Sequence, residues 1–97
     1  MKPTVFGIER KEGELITIFG KPNCVYCTKA KILLDTHGIG YEYRDIMEEE
    51  YNYDLMMELV PNARTVPQII VNQKPIGGFD KLQEMINTPE GKKLLKG

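Results

Sequence analysis

Leu15-Ile16-Thr17-Ile18-Phe19-Gly20-Lys21-Pro22-Asn23-Cys24-Val25-Tyr26-Cys27 is the stretch that decides the fold. Its first five residues are β-branched, aromatic or aliphatic, the signature of a strand. Gly20 to Asn23 breaks the strand. From Val25 to His37 the apolar spacing turns helical, with Cys27, Ala30 and Leu34 on one side, Leu33 beside them and Lys29, Lys31 and Asp35 elsewhere. A strand that runs through a short loop into a helix, with two cysteines at the junction, is the unit around which the rest is read.

Beyond Gly38, Tyr41 to Ile46 alternates as a second strand, and Glu48, Glu49 and Glu50 put negative charge where a helix N-terminus favours it. Tyr51, Leu55 and Leu59 continue that helix until Pro61. Pro67 to Val71 reads as a third strand, Asn72-Gln73-Lys74 as a hairpin turn and Pro75-Ile76 as a short fourth strand ended by Gly77-Gly78. Asp80 to Ile86 and Pro89 to Leu95 are helices. The first two strands, joined through a helix, are expected to be parallel with a right-handed crossover; the hairpin adds antiparallel strands. The expectation is an α/β fold with one mixed four-stranded sheet flanked by helices. The chain of 97 residues suits a single domain over 1–97, with residues 14–96 as core and 1–13 as an extra strand or arm.

Thirteen Lys and Arg against fourteen Asp and Glu leave a net charge of −1, which gives no electrostatic case for a nucleic-acid partner. Lys21, Lys29 and Lys31 nevertheless surround the cysteines, a local basic patch suited to a small anion. No apolar run approaches the ~18 residues of a membrane span, and the N-terminus lacks the continuous apolar stretch of a secretory signal, so a cytoplasmic location without membrane contact is expected. Two closely spaced cysteines in a reducing compartment point to catalysis or metal binding rather than to a disulfide framework.

At the start of a helix, Cys24 faces unpaired N–H groups and the positive end of the dipole, which favour thiolate over thiol. Lys21 adds positive potential from three residues upstream. Cys24 is therefore the expected nucleophile. Cys27, one turn on and more buried, is the expected second thiol, which resolves a mixed disulfide on Cys24. A structural disulfide would close a very small loop and stabilise little. A zinc site wants four ligands where the chain offers two Cys and His37, and a chance pair of buried cysteines is the remaining bland reading. His37 itself, at the far end of the helix, reads as structural.

Two further stretches line up with this pair. In Thr65-Val66-Pro67, the proline is either cis, leaving the Val66 backbone free to pair with an extended thiol peptide, or an ordinary trans proline opening an edge strand. In Gly77-Gly78-Phe79-Asp80, the glycines permit close backbone approach and the helix start offers N–H groups to a carboxylate. Asp80 is a candidate cap of that helix, or an acceptor for a substrate ammonium.

Lys21-Pro22-Asn23-Cys24-Val25-Tyr26-Cys27, Thr65-Val66-Pro67-Gln68-Ile69 and Ile76-Gly77-Gly78-Phe79-Asp80 together resemble the glutaredoxin family, from about Leu15 to Ile86. The resemblance implies a thioredoxin-like fold and glutathione-dependent reduction of protein disulfides and glutathione mixed disulfides. Glutathione would be co-substrate, with no tightly bound cofactor and no metal. It implies roles for Cys24 as nucleophile and Cys27 as resolving thiol. Lys21 would meet the glycyl carboxylate of glutathione, beside Tyr26, with Arg64 adding charge nearby. Val66, next to Thr65 and before a cis Pro67, would pair with the cysteinyl part; Gly78, Phe79 and Asp80 would hold the γ-glutamyl end. Partners implied are disulfide-containing proteins, ribonucleotide reductase being a common acceptor in the family, with the chain itself a monomer. The family alternative is an iron–sulfur cluster carrier bridged between two chains with glutathione, against which the second cysteine argues.

A thioredoxin proper is disfavoured by the absence of Trp and by Gln68 after the proline. The chain departs from the common family motif at Val25, where proline is usual, a version that looks similar to some bacteriophage glutaredoxins. It also departs in its N-terminal extension.

Overall fold

The computed structural model describes residues 15–97. In chain order it contains β1 (Ile16–Gly20), α1 (Val25–Thr36), β2 (Glu42–Asp45), α2 (Glu50–Leu59), β3 (Gln68–Val71), β4 (Lys74–Gly77), α3 (Phe79–Ile86) and α4 (Pro89–Lys96). The arm or extra strand expected over residues 1–13 lies outside the described residues. Among the described residues, no helix is long and apolar enough to cross a membrane.

The strands form one sheet in the order β2-β1-β3-β4. β1 and β2 are parallel, with Thr17 opposite Glu42 and Gly20 opposite Asp45. β3 runs antiparallel to β1, with Ile16 opposite Val71 and Ile18 opposite Ile69, and β4 antiparallel to β3. The hairpin between β3 and β4 turns through Asn72 and Gln73, both at positive φ (53° and 70°), the conformation a tight two-residue hairpin requires. Lys74, expected in the turn, begins β4 instead. That strand lies on the sheet edge and carries exposed Lys74 and Pro75, where a missing backbone donor costs no ladder bond.

Successive strand residues point to opposite faces, and both faces are covered. Ile16, Ile18, Ile69 and Val71 meet Ala30 and Leu34 of α1 and Leu82 and Ile86 of α3 in the larger cluster. Phe19 and Ile70, at the intervening positions, meet Met56 of α2 in the smaller one. Burying each such side chain contributes about 1.5–3 kcal/mol, so the central strand anchors both layers. The near-continuous apolar run of β1 follows from this: a strand buried on both faces has no polar side.

Two local devices leave no mark in the sequence pattern. After β2, the Asp45 carboxylate accepts the N–H groups of Met47 and Glu48 at 2.8 and 3.2 Å, turning the chain towards α2. Buried Asn52 then ties the two elements, its amide donating to the Asp45 carbonyl at 3.0 Å and accepting from Arg44 at 2.9 Å. Of the three glutamates expected to open the helix, Glu50 alone falls within its first turn; Glu49 is the N-cap residue and makes no side-chain capping bond.

α4 starts at Pro89 after Thr88, whose hydroxyl accepts the Gly91 N–H at 3.0 Å. Gly91 is buried against the end of α3, and a Cβ there would meet the Met85 carbonyl. Gly91→Ala is therefore expected to push α4 off α3 and destabilise the protein by about 1–3 kcal/mol. Urea denaturation would show this as a lower midpoint at unchanged slope; an unchanged midpoint would refute it.

Candidate functional site

β1 ends at Gly20, and the exposed loop Lys21-Pro22-Asn23 delivers the chain to α1. Asn23 adopts a left-handed φ of 60°, which asparagine tolerates better than most residues. Cys24 is the N-cap of α1 with extended backbone, and its sulfur accepts the Cys27 N–H at 3.2 Å. The helix thus begins by using a sulfur where Ser or Asp would ordinarily use an oxygen. Cys24 and Cys27 are joined as a disulfide with their Cα atoms 5.2 Å apart. Their environments differ: Cys24 is partly exposed, whereas Cys27 is 1% exposed among the α1 residues that face the core.

Across from the pair lies the segment before β3. The Val66–Pro67 bond is cis, the first of the two alternatives. The Cys24 sulfur is 3.7 Å from the Val66 carbonyl oxygen. Pro67 is buried, and Gln68 returns an amide N–H to the Thr65 carbonyl at 2.8 Å, which braces the bend.

Two cavities flank this segment, and Thr65 and Val66 line both. The larger, about 670 Å³, brings together Tyr26, Pro67, Gly78, Phe79 and Asp80. The smaller, about 160 Å³, holds Lys21 and Arg64. The eight residues expected beside the two cysteines therefore line these two cavities, which share Thr65 and Val66, with Arg64 joining Lys21. Sequence reasoning missed Tyr53, which shares the smaller cavity, and Lys81, which shares the larger. Tyr53 sits three residues before buried Met56 on α2, so helical spacing puts it at the rim of that face, but only the fold brings the face to Lys21.

Aromatic packing shapes the larger cavity. The Tyr26 and Phe79 rings lie 5.8 Å apart, and the Lys29 ammonium stands 5.1 Å over the Tyr26 ring. The basic patch is narrower than expected, because Lys31 turns away to cover Tyr43 of β2 at 4.1 Å. Burial, then the charge of Asp45, raise the Tyr43 pKa above its ordinary value, so this ring stays a neutral phenol at physiological pH. Asp80 is not the cap of α3: Gly78 holds that position, and Asp80 falls in the first turn. His37 is the C-cap residue of α1, the whole helix away from Cys24.

The fold is thioredoxin-like, and its cysteine pair is joined as a disulfide at the start of α1. The glutaredoxin family model matches residues 16–76. A glutaredoxin of Haemophilus influenzae is 34% identical over 82 residues, covering 78% of this chain and 94% of the relative. Glutaredoxin 1 of Salmonella typhimurium is 42% identical over 67 residues, covering 63% and 77%. Among solved structures, the holo form of poplar glutaredoxin C1 superposes with a TM-score of 0.72 at 28% identity, covering 84% of this chain and 83% of that one. The buckwheat glutaredoxin–glutathione complex does so with a TM-score of 0.72 at 26% identity, covering 84% and 76%. The chain belongs to the glutaredoxin family, and its Cys24–Cys27 pair makes it a thiol–disulfide oxidoreductase.

Unequal exposure of the two sulfurs gives a direct test. After full reduction, Cys24 in the Cys27→Ala variant should be alkylated by iodoacetamide about ten-fold faster, or more, than Cys27 in the Cys24→Ala variant. Equal rates by mass spectrometry would contradict the assignment of unequal roles.

Proposed function

We propose that the protein reduces protein disulfides and glutathione mixed disulfides at the expense of glutathione. The observation that carries this reading is the Cys24 sulfur 3.7 Å from the carbonyl of Val66, a residue that lines both the cavity with two cations and the cavity with Asp80. Glutathione carries a carboxylate at its glycyl end and both an ammonium and a carboxylate at its γ-glutamyl end, so its charges complement that arrangement. The buckwheat relative solved in complex with glutathione supports the same ligand.

In the reaction, the Cys24 thiolate attacks one sulfur of the substrate disulfide. The substrate S–S bond breaks, a Cys24–substrate disulfide forms, and the departing sulfur leaves as a thiolate that takes a proton from solvent. With a protein disulfide, the Cys27 thiolate then attacks Cys24, the second substrate sulfur leaves, and the oxidation passes to the Cys24–Cys27 bond. One glutathione thiolate opens that bond at Cys24. A second attacks the bound glutathione sulfur, returning the Cys24 thiolate and releasing glutathione disulfide. Two electrons enter from two glutathiones and two leave to the substrate. With a glutathione mixed disulfide as substrate, external glutathione alone completes the cycle at Cys24.

The residues given roles are those around the sulfur. Lys21 and Arg64 attract the glycyl carboxylate, and Tyr26 packs beside the ligand. The backbone of Val66, held between Thr65 and Pro67, pairs with the cysteinyl unit. Gly78 and Phe79 present the start of α3 to the γ-glutamyl end, and Asp80 accepts its ammonium. Uncapped N–H groups at a helix start favour an anionic group.

The mechanism separates the two cysteines experimentally. In the hydroxyethyl-disulfide assay with glutathione and its reductase, Cys24→Ser is expected to abolish turnover. Cys27→Ser is expected to retain deglutathionylation while losing reduction of protein disulfides. A Cys27→Ser variant dead towards the glutathione mixed disulfide would rule out the monothiol route. Wild-type activity with a thioredoxin reductase but none with glutathione would overturn the proposal as a whole.

A further inference from the structure

Lys81 occupies an unassigned place in the larger cavity, beside Asp80 in the first turn of α3. Its aliphatic stem is seated rather than loose. Gly77 has a φ of 119°, and a Cβ on it would lie 2.8 Å from Lys81 Cγ and 3.3 Å from Lys81 Cβ. The absence of a side chain at Gly77 is therefore what lets the lysine stem lie along the end of β4, where the residue joins the cavity lining. Among the described residues, the ammonium pairs with Glu84, at 3.8 Å. The two side chains are 62% and 71% exposed, and a pair so open is weak and easily screened. A better-placed carboxylate would displace Glu84 at little cost.

Asp80 and Lys81 thus bring one negative and one positive residue to the lining of the same cavity. A ligand end with only an ammonium would leave Lys81 unanswered, and one with only a carboxylate would meet Asp80. An α-amino-acid end, carrying both, satisfies each. Val66 lines this cavity and its carbonyl lies 3.7 Å from the Cys24 sulfur, so a thiol ligand bonded to Cys24 has a continuous path to that lining.

We propose that Lys81 is a specificity-determining residue, selecting thiol ligands whose amino-acid end carries a free α-carboxylate over those with an ammonium alone. This rests on the glutathione reading above and adds Lys81 to the α3 N–H groups that receive the carboxylate of the γ-glutamyl end. The lysine acts on ligand capture and leaves the sulfur chemistry to Cys24.

The test is steady-state reduction of two mixed disulfides of 2-mercaptoethanol. One carries glutathione. The other carries 4-aminobutyryl-cysteinyl-glycine, which keeps the ammonium and lacks that carboxylate. Lys81→Gln is expected to raise KM for the glutathione substrate about three- to five-fold. kcat should hold, and KM for the analogue should not move. Lys81→Arg should restore the wild-type KM, and Lys81→Glu should raise it further. Equal KM values for wild type and Lys81→Gln on the glutathione substrate, or an equal rise on both substrates, would overturn the inference while leaving glutathione dependence intact. A wild-type protein that turns over neither substrate would instead overturn the reading on which it rests.

Discussion

β1 is the constraint on which the rest depends. It is paired on both edges and covered on both faces, so it cannot shift without breaking two ladders and two apolar clusters at once. A register slip by one residue would exchange Ile16 and Ile18 for Phe19 and invert the sheet's two layers. Because β1 is fixed, the loop that follows it is fixed at its root, and so is the N-terminus of α1, where Cys24 stands. β3 is fixed by the same pairing, and the chain just before it brings Val66 to the sulfur. Both walls of the reactive centre are thus extensions of neighbouring, hydrogen-bonded strands. Such rigid elements hold a reacting group more accurately than a free loop would.

The chemistry of the pair depends on an asymmetry that the same construction produces. A residue at the N-cap lies outside the helix proper and remains accessible, whereas one three positions later faces inward with Ala30 and Leu34. Two cysteines at this spacing therefore receive different solvent exposure from backbone geometry alone. The two remain close enough to be bonded, and no third protein group is needed to set them apart.

How much of this was legible in the sequence follows from the range of each interaction. β1, α1 and the hairpin were readable because their signals are local: a β-branched run, an apolar face at helical spacing, and Asn72-Gln73 between two strands. The dithiol was readable because its position at a strand–helix junction carries its own physical meaning. The convergence of Thr65-Val66-Pro67 and Gly77-Gly78-Phe79-Asp80 on the cysteines came from resemblance to a family, since nothing in their spacing alone brings them together. Tyr53, Lys81 and Asn52 stayed hidden because each acquires its role only when distant elements meet. The candidate role of Asp80 as cap of α3 is not realised for a related reason: Asp is a favoured cap, but Gly78 takes that position, which leaves Asp80 the second residue of the helix.

The outer strands have a consequence for how molecules of this protein meet one another. β4 presents Lys74 and Pro75 at one margin of the sheet, and β2 presents the Glu42–Arg44 ion pair, 3.0 Å long, at the other. A neighbour seeking to extend the sheet would find a missing donor and an ammonium on one side, and two charges to dehydrate on the other. Both margins are therefore poor templates for growth into a fibrillar β-stack. Exposed main chain is dangerous wherever it can be copied, and among the described residues it is side-chain chemistry at the two margins that discourages copying.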